Sequence, residues 1–123
     1  MDKKSLIGIG LAAIIITLLF VISPKSGETK NLDDFAKCLT EKNAKMWGAY
    51  WCSHCQNQKK QFGNSWQYAT YIECSLPDAT GQTKECEDAG ISAYPTWEFG
   101  DGERVQGEVT LQNLSEKTGC PLP

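Results

Sequence analysis

Two cysteines at a junction between an apolar run and a polar one constrain the fold of this chain more than any other feature. Residues 44–51 (AKMWGAYW) are rich in aromatic side chains and predict a buried strand. Residues 55–62 (CQNQKKQF) have the composition of a helix that opens at the turn between Cys52 and Cys55. The two intervening residues make a turn that brings both sulfurs within bonding reach. This junction predicts a strand, a redox-active turn and a helix in succession.

The predicted helix gives the two sulfurs different tasks. A helix N-terminus directs amide N–H groups and partial positive charge at Cys52, and both stabilise the thiolate that carries out disulfide exchange. We expect Cys52 to exchange with the substrate and Cys55, more buried in the first helical turn, to resolve the mixed disulfide. Ser53 and His54 stand between them, and a protonated His54 would favour the thiolate further. Trp51, directly before Cys52, is placed to pack against a substrate.

Three other interpretations of the cysteine pair are weaker. A zinc site would need a second pair at similar spacing, and Cys74 and Cys86 are too far apart in sequence to form one. Covalent haem attachment needs a histidine directly after the second cysteine, where this chain has Gln56. A purely structural disulfide would not explain the strand before the pair and the helix after it. We therefore predict redox catalysis without a metal or another cofactor.

The rest of the chain alternates between helical and extended patterns. A turn-rich loop is predicted over residues 75–81, and the Gly-Asp-Gly sequence at 100–102 is typical of a hairpin turn. This order predicts an α/β domain with a central mixed sheet flanked by helices. The predicted helices cover residues 32–42, 55–62, 84–89 and 111–118, and the predicted strands cover residues 44–51, 69–74, 96–99 and 104–109.

A proline near the third predicted strand is a candidate support for the cysteine pair. A cis peptide bond between Tyr94 and Pro95 would expose the backbone of Tyr94 for strand-like pairing with a substrate segment. An ordinary trans proline at the start of a strand is the alternative interpretation. The order of the motifs along the chain favours the cis form opposite Cys52 and Cys55.

The N-terminal segment predicts a membrane anchor. Residues 6–22 carry no charge, and as a helix they would be about 26 Å long, which nearly spans a bilayer core. A cleaved signal peptide would normally have a shorter apolar region and would end in a small-x-small site, which is missing here. We predict an anchor at residues 1–23, a polar linker at 24–30 and a folded domain at 31–123.

Composition indicates where the domain works and which partners it excludes. The 123 residues suffice for one domain with a short appendage, and the net charge of −3 gives no reason to expect nucleic acid as a partner.

Lysines flank both ends of the apolar segment, so charge alone does not fix its orientation. Six cysteines in so short a chain indicate disulfides, which persist outside the reducing cytosol. The domain is therefore expected to face the periplasm, a lumen or the cell exterior.

Several motifs carry a resemblance to a known family. The sequence AYWCSHC at 49–55, followed by Tyr94-Pro95-Thr96, resembles a thioredoxin fold. The chain resembles more closely the thioredoxin-like domain that is fused to bacterial and plant homologues of vitamin K epoxide reductase. This resemblance runs from about Asn31 to Cys120 and leaves out residues 6–22. It rests on the segments FAKC at 35–38, GAYWC at 48–52, CQNQKK at 55–60, ECS at 73–75, YPTWEF at 94–99 and TGC at 118–120.

The resemblance implies a role in oxidative folding. In that family the domain collects oxidising equivalents from a membrane-embedded, quinone-reducing part and passes them to secreted substrates. This chain has one apolar segment in place of the multi-helix membrane part, so we expect a separate quinone-linked membrane partner. Electron flow in the opposite direction stays open. Thioredoxin also has a buried acid on the strand before its cysteine pair, and the corresponding place here lies near Met46, so that proton relay is not carried over.

The other four cysteines allow three pairings by spacing alone. Cys74 follows a predicted strand and Cys86 lies on the next helix, so this pair could staple the loop between them. Cys38 would then bind Cys120 and tie the two ends of the domain together, contributing roughly 4 kcal/mol in the chain-entropy model. The functional alternative is a second redox pair that shuttles electrons to Cys52 and Cys55. We favour the structural staples.

Three functions are compatible with these patterns. The leading hypothesis is an oxidase or isomerase that acts on thiols and disulfides of extracytoplasmic proteins. The second is a membrane-anchored thiol reductase that serves cytochrome or metal-site maturation with the same fold at a lower potential. The third is a metal- or partner-binding module without turnover. The sequence does not fix the direction of electron flow, the substrate or the membrane partner.

Overall fold

A computed structural model of the chain describes residues 31–123. The helices are α1 (Asp33–Glu41), α2 (Ser53–Phe62), α3 (Lys84–Asp88) and α4 (Leu111–Thr118), and a 3-10 helix spans Gly63–Tyr68. The strands are β1 (Lys45–Gly48), β2 (Thr70–Glu73), β3 (Thr96–Glu98) and β4 (Arg104–Gln106). The predicted anchor at 1–23 and linker at 24–30 lie outside the described residues. Among residues 31–123, none of the helices has the length and apolar character needed to cross a bilayer.

The four strands form one mixed sheet in the order β2-β1-β3-β4. Strand β1 pairs in parallel with β2 on one side and antiparallel with β3 on the other, and β4 pairs antiparallel with β3. The parallel pair is joined through α2 and the 3-10 helix, as parallel strands require a crossover connection. A mixed four-stranded sheet with helices fits the predicted α/β thioredoxin-like fold. It also places β1, which leads to Cys52, in the interior of the sheet.

Aromatic rings form much of the core beside the sheet. Trp97 on β3 is fully buried, and its ring lies 6.3 Å from those of both Phe62 and Trp66. Phe62 also stacks on Phe35 of α1, with ring centroids 6.0 Å apart. Trp66 belongs to the 3-10 helix, which no local sequence pattern predicts. This packing holds α1, α2 and the 3-10 helix against the sheet.

The boundaries around the cysteine pair differ from the predicted ones. The first strand ends at Gly48, three residues earlier than predicted, because the chain turns at once and the amide of Cys52 donates to the carbonyl of Ala49 at 3.1 Å. Helix α2 begins at Ser53, not at Cys55. Cys55 therefore lies inside the first helical turn, and its sulfur faces the core.

Two disulfides close the domain. Cys38 on α1 bonds to Cys120 after α4, with Cα atoms 5.8 Å apart, and Cys74 after β2 bonds to Cys86 on α3, with Cα atoms 5.5 Å apart. Of the three pairings allowed by spacing, the structure thus has the one that staples the 74–86 loop and joins the two ends of the domain. Cys52 and Cys55 are the free thiols of the described chain.

Candidate active site

The turn after β1 places the two free thiols at the N-terminus of α2. Cys52 has extended backbone geometry and is the N-cap residue, and its sulfur accepts a hydrogen bond from the amide of Cys55 at 3.3 Å. Serine and threonine oxygens cap helices in the same way, by satisfying an amide that has no partner within the helix. The amide donor and the helix dipole stabilise negative charge on the Cys52 sulfur.

The two thiols differ in environment. Cys55 is fully buried, and Cys52 is 8% exposed. Burial, followed by the hydrogen bond with Cys52, raises the pKa of Cys55 to about 12. Cys55 therefore keeps its proton at neutral pH in this reduced form. This asymmetry suits an outer sulfur that meets the substrate and an inner one that resolves the mixed disulfide.

The predicted proline lies opposite the pair. The peptide bond between Tyr94 and Pro95 is cis. The thiol of Cys52 donates to the carbonyl oxygen of Tyr94 at a sulfur–oxygen distance of 3.7 Å. The structure thus brings four residues singled out from the sequence to one place: Cys52, Cys55, Tyr94 and Pro95.

Aromatic side chains border the outer sulfur. Trp51 is 53% exposed, and its indole nitrogen donates to the Ser75 hydroxyl at 2.8 Å. The same ring meets the ring of Tyr94 edge-on, with centroids 5.9 Å apart. Tyr50 is 45% exposed, and its hydroxyl donates to the carbonyl of Pro77 at 2.9 Å. The loop after β2 thus supports an exposed aromatic surface beside Cys52.

The residues between the cysteines face outward. Ser53 is exposed, and Nδ1 of His54 lies 2.8 Å from Oε1 of Glu108. Asn57 donates to the same carboxylate oxygen at 3.2 Å. The bond with His54, followed by that from Asn57, lowers the pKa of Glu108 below its usual value. His54 is therefore oriented by Glu108, a residue that no local sequence pattern identified.

A second carboxylate, that of Glu73, contacts the turn after β1 and was also not singled out from the sequence. Oε1 of Glu73 accepts hydrogen bonds from the amides of Tyr50 at 3.2 Å and Ser75 at 2.9 Å. Its other oxygen, Oε2, accepts from the hydroxyl of Tyr71 at 2.8 Å. Tyr71 and Glu73 stand two residues apart on β2, so their side chains share one face of the sheet. The sequence did contain one indication of this pair: Tyr71 and Glu73, both titratable, lie two residues apart near the end of a predicted strand.

Metal ligands are not clustered in the part of the chain that the structure describes. Within residues 31–123, no three His, Cys, Asp or Glu side chains are grouped in a way that could hold a metal ion.

Comparison with known proteins gives the site a context. The chain is similar to a thiol–disulfide oxidoreductase. Over 92 residues it is 44% identical to "Thiol-disulfide oxidoreductase LTO1" of Arabidopsis thaliana, a match that covers 71% of this chain and 24% of that protein. The chain thus spans about a quarter of the length of this relative. No family model matches the chain. The similarity supports a thioredoxin-like redox domain, in agreement with the fold and with the two free thiols.

Proposed function

We propose that this chain is a protein thiol–disulfide oxidoreductase whose reactive pair is Cys52 and Cys55. One observation carries the proposal: the Cys52 sulfur caps α2, faces the carbonyl of Tyr94 before a cis proline, and has a buried thiol behind it. The similarity to a protein named as a thiol–disulfide oxidoreductase supports the same activity.

The geometry suits a two-step exchange. In the oxidised enzyme, a substrate thiolate attacks the Cys52 sulfur, the Cys52–Cys55 bond breaks, and Cys55 leaves with the electron pair and takes up a proton. A second substrate thiolate then attacks the substrate sulfur of the mixed disulfide and releases the Cys52 thiolate. The substrate gains a disulfide, and the enzyme pair is reduced by two electrons. The exposed aromatic surface at Tyr50 and Trp51 is placed to contact the substrate.

We further propose that the domain works outside the cytoplasm on a single membrane anchor. The apolar run at residues 6–22 supports the anchor, and the two disulfides of the domain support an oxidising compartment. A quinone-linked membrane partner would reoxidise the pair, as the resemblance to the vitamin K epoxide reductase homologues implies. Secreted protein thiols are then the substrates.

A thiol reductase is the second candidate, and one contact favours it. The Glu108 carboxylate lies 2.8 Å from His54, and its negative charge offsets any positive charge of the imidazole near Cys52. Weaker stabilisation of the thiolate lowers the reduction potential and makes the pair a better reductant.

A redox titration of the full chain separates these functions. The Cys52–Cys55 pair is equilibrated in glutathione buffers, and Cys52→Ala serves as the control that cannot form the disulfide. We expect a reduction potential of about −120 to −180 mV, the range of oxidases and isomerases. A value of about −270 mV, like that of thioredoxin, would assign the chain as a reductase. Stoichiometric metal binding without disulfide exchange would contradict both and indicate a binding module.

A further inference from the structure

We propose that Tyr71 and Glu73 carry the proton that Cys55 must lose and regain in each round of exchange. The inference rests on the proposed function, because it concerns how the same cysteine pair turns over. It assigns a role to two residues of β2 that the two-step exchange itself does not use.

The first support is the close approach of Tyr71 to the inner sulfur. Gly48, at the end of β1, has no side chain. A Cβ atom there would lie 2.9 Å from the sulfur of Cys55, 3.0 Å from ring atom Cε2 of Tyr71 and 3.4 Å from the Tyr71 hydroxyl oxygen. The thiol of Cys55 and the hydroxyl of Tyr71 therefore border the same small space over the glycine backbone.

The second support is the hydrogen bond that leads away from this space. The Tyr71 hydroxyl donates to Oε2 of Glu73 at 2.8 Å. The amides of Tyr50 and Ser75 fix the other oxygen of Glu73 in the surface turn. Glu73 is partly exposed, whereas Cys55 is fully buried. Tyr71 thus connects the space beside the buried thiol to a carboxylate at the partly exposed edge of the sheet.

Burial keeps Cys55 protonated, so the thiol needs a proton acceptor before its sulfur can attack. On its own helix it faces Cys52 and Lys59, and from β2 it faces Tyr71, whose ring centroid lies 3.6 Å from the Lys59 ammonium. Burial raises the pKa of Cys55 to about 12, despite the opposing charge of Lys59. Burial and the bond to Glu73 also raise the pKa of Tyr71 well above its usual value. Both groups therefore hold their protons at neutral pH.

Because Tyr71 is neutral, it can pass a proton only by giving one up as it receives one. When the reduced pair is reoxidised, a disulfide oxidant is first held on Cys52 as a mixed disulfide, and the Cys55 proton moves to the Tyr71 oxygen while the Tyr71 proton moves to Oε2 of Glu73. The Cys55 sulfur attacks the Cys52 sulfur, and the oxidant's sulfur leaves with the electron pair of the broken bond. Glu73 then releases its proton to water. The reverse transfer protonates Cys55 when a substrate thiolate opens the Cys52–Cys55 disulfide.

Strand β1 cannot supply this carboxylate itself. Its sequence is Lys-Met-Trp-Gly, without an acidic residue, and Met46 is fully buried. Glu73 on the neighbouring strand β2 is paired in register with Gly48 and supplies the carboxylate instead.

The test isolates the step in which Cys55 acts. The full chain is prepared with glutathione on Cys52, and the release of glutathione is followed in single turnover from about pH 6 to 9. The variants are Tyr71→Phe, which keeps the ring, and Glu73→Gln, which keeps an acceptor oxygen for the two amides. Tyr68→Phe is the matched control. It removes the same hydroxyl group from a tyrosine whose ring lies under Lys37 and which is not part of the proposed proton path. The rate at which iodoacetamide alkylates reduced Cys52 is measured separately, because it reports on the reactivity of the outer sulfur and does not involve Cys55.

We expect Tyr71→Phe and Glu73→Gln to release glutathione roughly 100-fold more slowly at pH 7, the lower end of general acid–base effects. The deficit should shrink as the pH rises, because hydroxide replaces the missing acceptor. Cys52 alkylation in both variants and glutathione release in Tyr68→Phe should stay within about twofold of the parent chain, as neither depends on the proton path.

Two results would overturn the proton path. One is release from both variants at the parent rate. The other is a loss that is the same at every pH and is matched by slower Cys52 alkylation, which would show a structural role. If Tyr71→Phe does not fold by circular dichroism, Glu73→Gln decides. A parent chain that releases no glutathione would refute the proposed function itself, and the proton path with it.

Discussion

At the scale of single residues, Gly48 sets the distance between the sheet and the inner sulfur. Strand β1 ends there, and Cys55 and Tyr71 both pack over its backbone. A larger residue would have to push one of them away. Tyr71 is held by its bond to Glu73 and by the Lys59 ammonium on its ring, so it has little freedom to move.

Gly48→Ala should therefore destabilise the reduced domain. The new methyl group would lie 2.9 Å from the Cys55 sulfur, closer than van der Waals contact allows. We expect a loss of about 1–3 kcal/mol in the free energy of unfolding, the usual cost of overpacking a core. Urea denaturation monitored by circular dichroism measures it.

Gly81→Ala is the control for this substitution. Its methyl group would meet only Cδ1 of Leu76, at an ordinary distance of 3.5 Å. The change in its free energy of unfolding should stay within about 0.5 kcal/mol, as is usual for surface positions. Equal effects at positions 48 and 81 would show that the space over Gly48 is not tightly packed.

At the scale of elements, one carboxylate links three neighbouring strands. Glu98 on β3 contacts Lys45 on β1 at 3.0 Å and the Arg104 guanidinium on β4 at 2.6 Å, and its side chain is 16% exposed. Burial acts to raise the pKa of Glu98, but the hydrogen bonds and charges of Lys45 and Arg104 outweigh it and lower the pKa. The ionised form is therefore favoured more in the folded chain than in the unfolded one.

This linkage predicts how acid affects the sheet. A carboxyl with a lowered pKa in the folded state stabilises the fold above its unfolded pKa, and the contribution is lost as the pH falls through the folded pKa. Glu98→Gln should cost about 1 kcal/mol at pH 7. The difference should shrink towards zero in acid, below the folded pKa of Glu98. Urea denaturation of the parent chain and the variant at several pH values measures it.

Asp88→Asn provides the comparison for Glu98. Asp88 pairs with Lys84 on the surface of α3, and its side chain is 65% exposed. Its substitution should leave the pH dependence of the free energy of unfolding unchanged, because exposed ion pairs contribute little to stability. A Glu98→Gln variant whose deficit persists unchanged in acid would show that the ion pairs are not its cause.

The elements themselves were largely predictable, whereas the contacts between them were not. Helical and extended patterns are local, so the order of helices and strands could be read from the sequence before the structure. The 3-10 helix at Gly63–Tyr68 was missed because its Gly-Asn-Ser start is typical of a loop, and Trp66 is ordered by packing on Phe62 and Trp97. Only tertiary structure reveals such packing.

The same limit applies to the candidate site. Cys52, Cys55 and Pro95 lie in recognisable local motifs, so the sequence identified them. Glu108 is 54 residues from His54, and no local pattern connects the two. Gln58 has a polar side chain typical of a helix surface, yet it is fully buried and bonds both the amide and the carbonyl of Val109. Long-range pairing of this kind depends on the complete fold.

At the scale of the whole molecule, the two disulfides close loops of different length. Cys38 and Cys120 are 82 residues apart, whereas Cys74 and Cys86 are 12 apart. A small domain buries little apolar surface, and cross-links offset this by restricting the unfolded chain. The disulfide that closes the longer loop is expected to contribute more to the free energy of unfolding.

Replacing Cys38 and Cys120 together by alanine should lower the free energy of unfolding by roughly 4 kcal/mol, and replacing Cys74 and Cys86 by roughly 3 kcal/mol. Thermal and urea denaturation measure both. If these pairs are structural, the folded variants should still exchange disulfides through Cys52 at a temperature below their unfolding transition. Loss of exchange in a folded variant would instead support a second redox pair that shuttles electrons to Cys52.

The bond between Cys38 and Cys120 also determines how the domain would respond to mechanical load. Cys38 lies on α1 and Cys120 follows α4, with their Cα atoms 5.8 Å apart. Tension applied between the two ends of the domain would pass directly through this covalent bond. The residues of the domain before Cys38 and after Cys120 would be pulled straight, and the sheet and the reactive thiols between them would be shielded from the force.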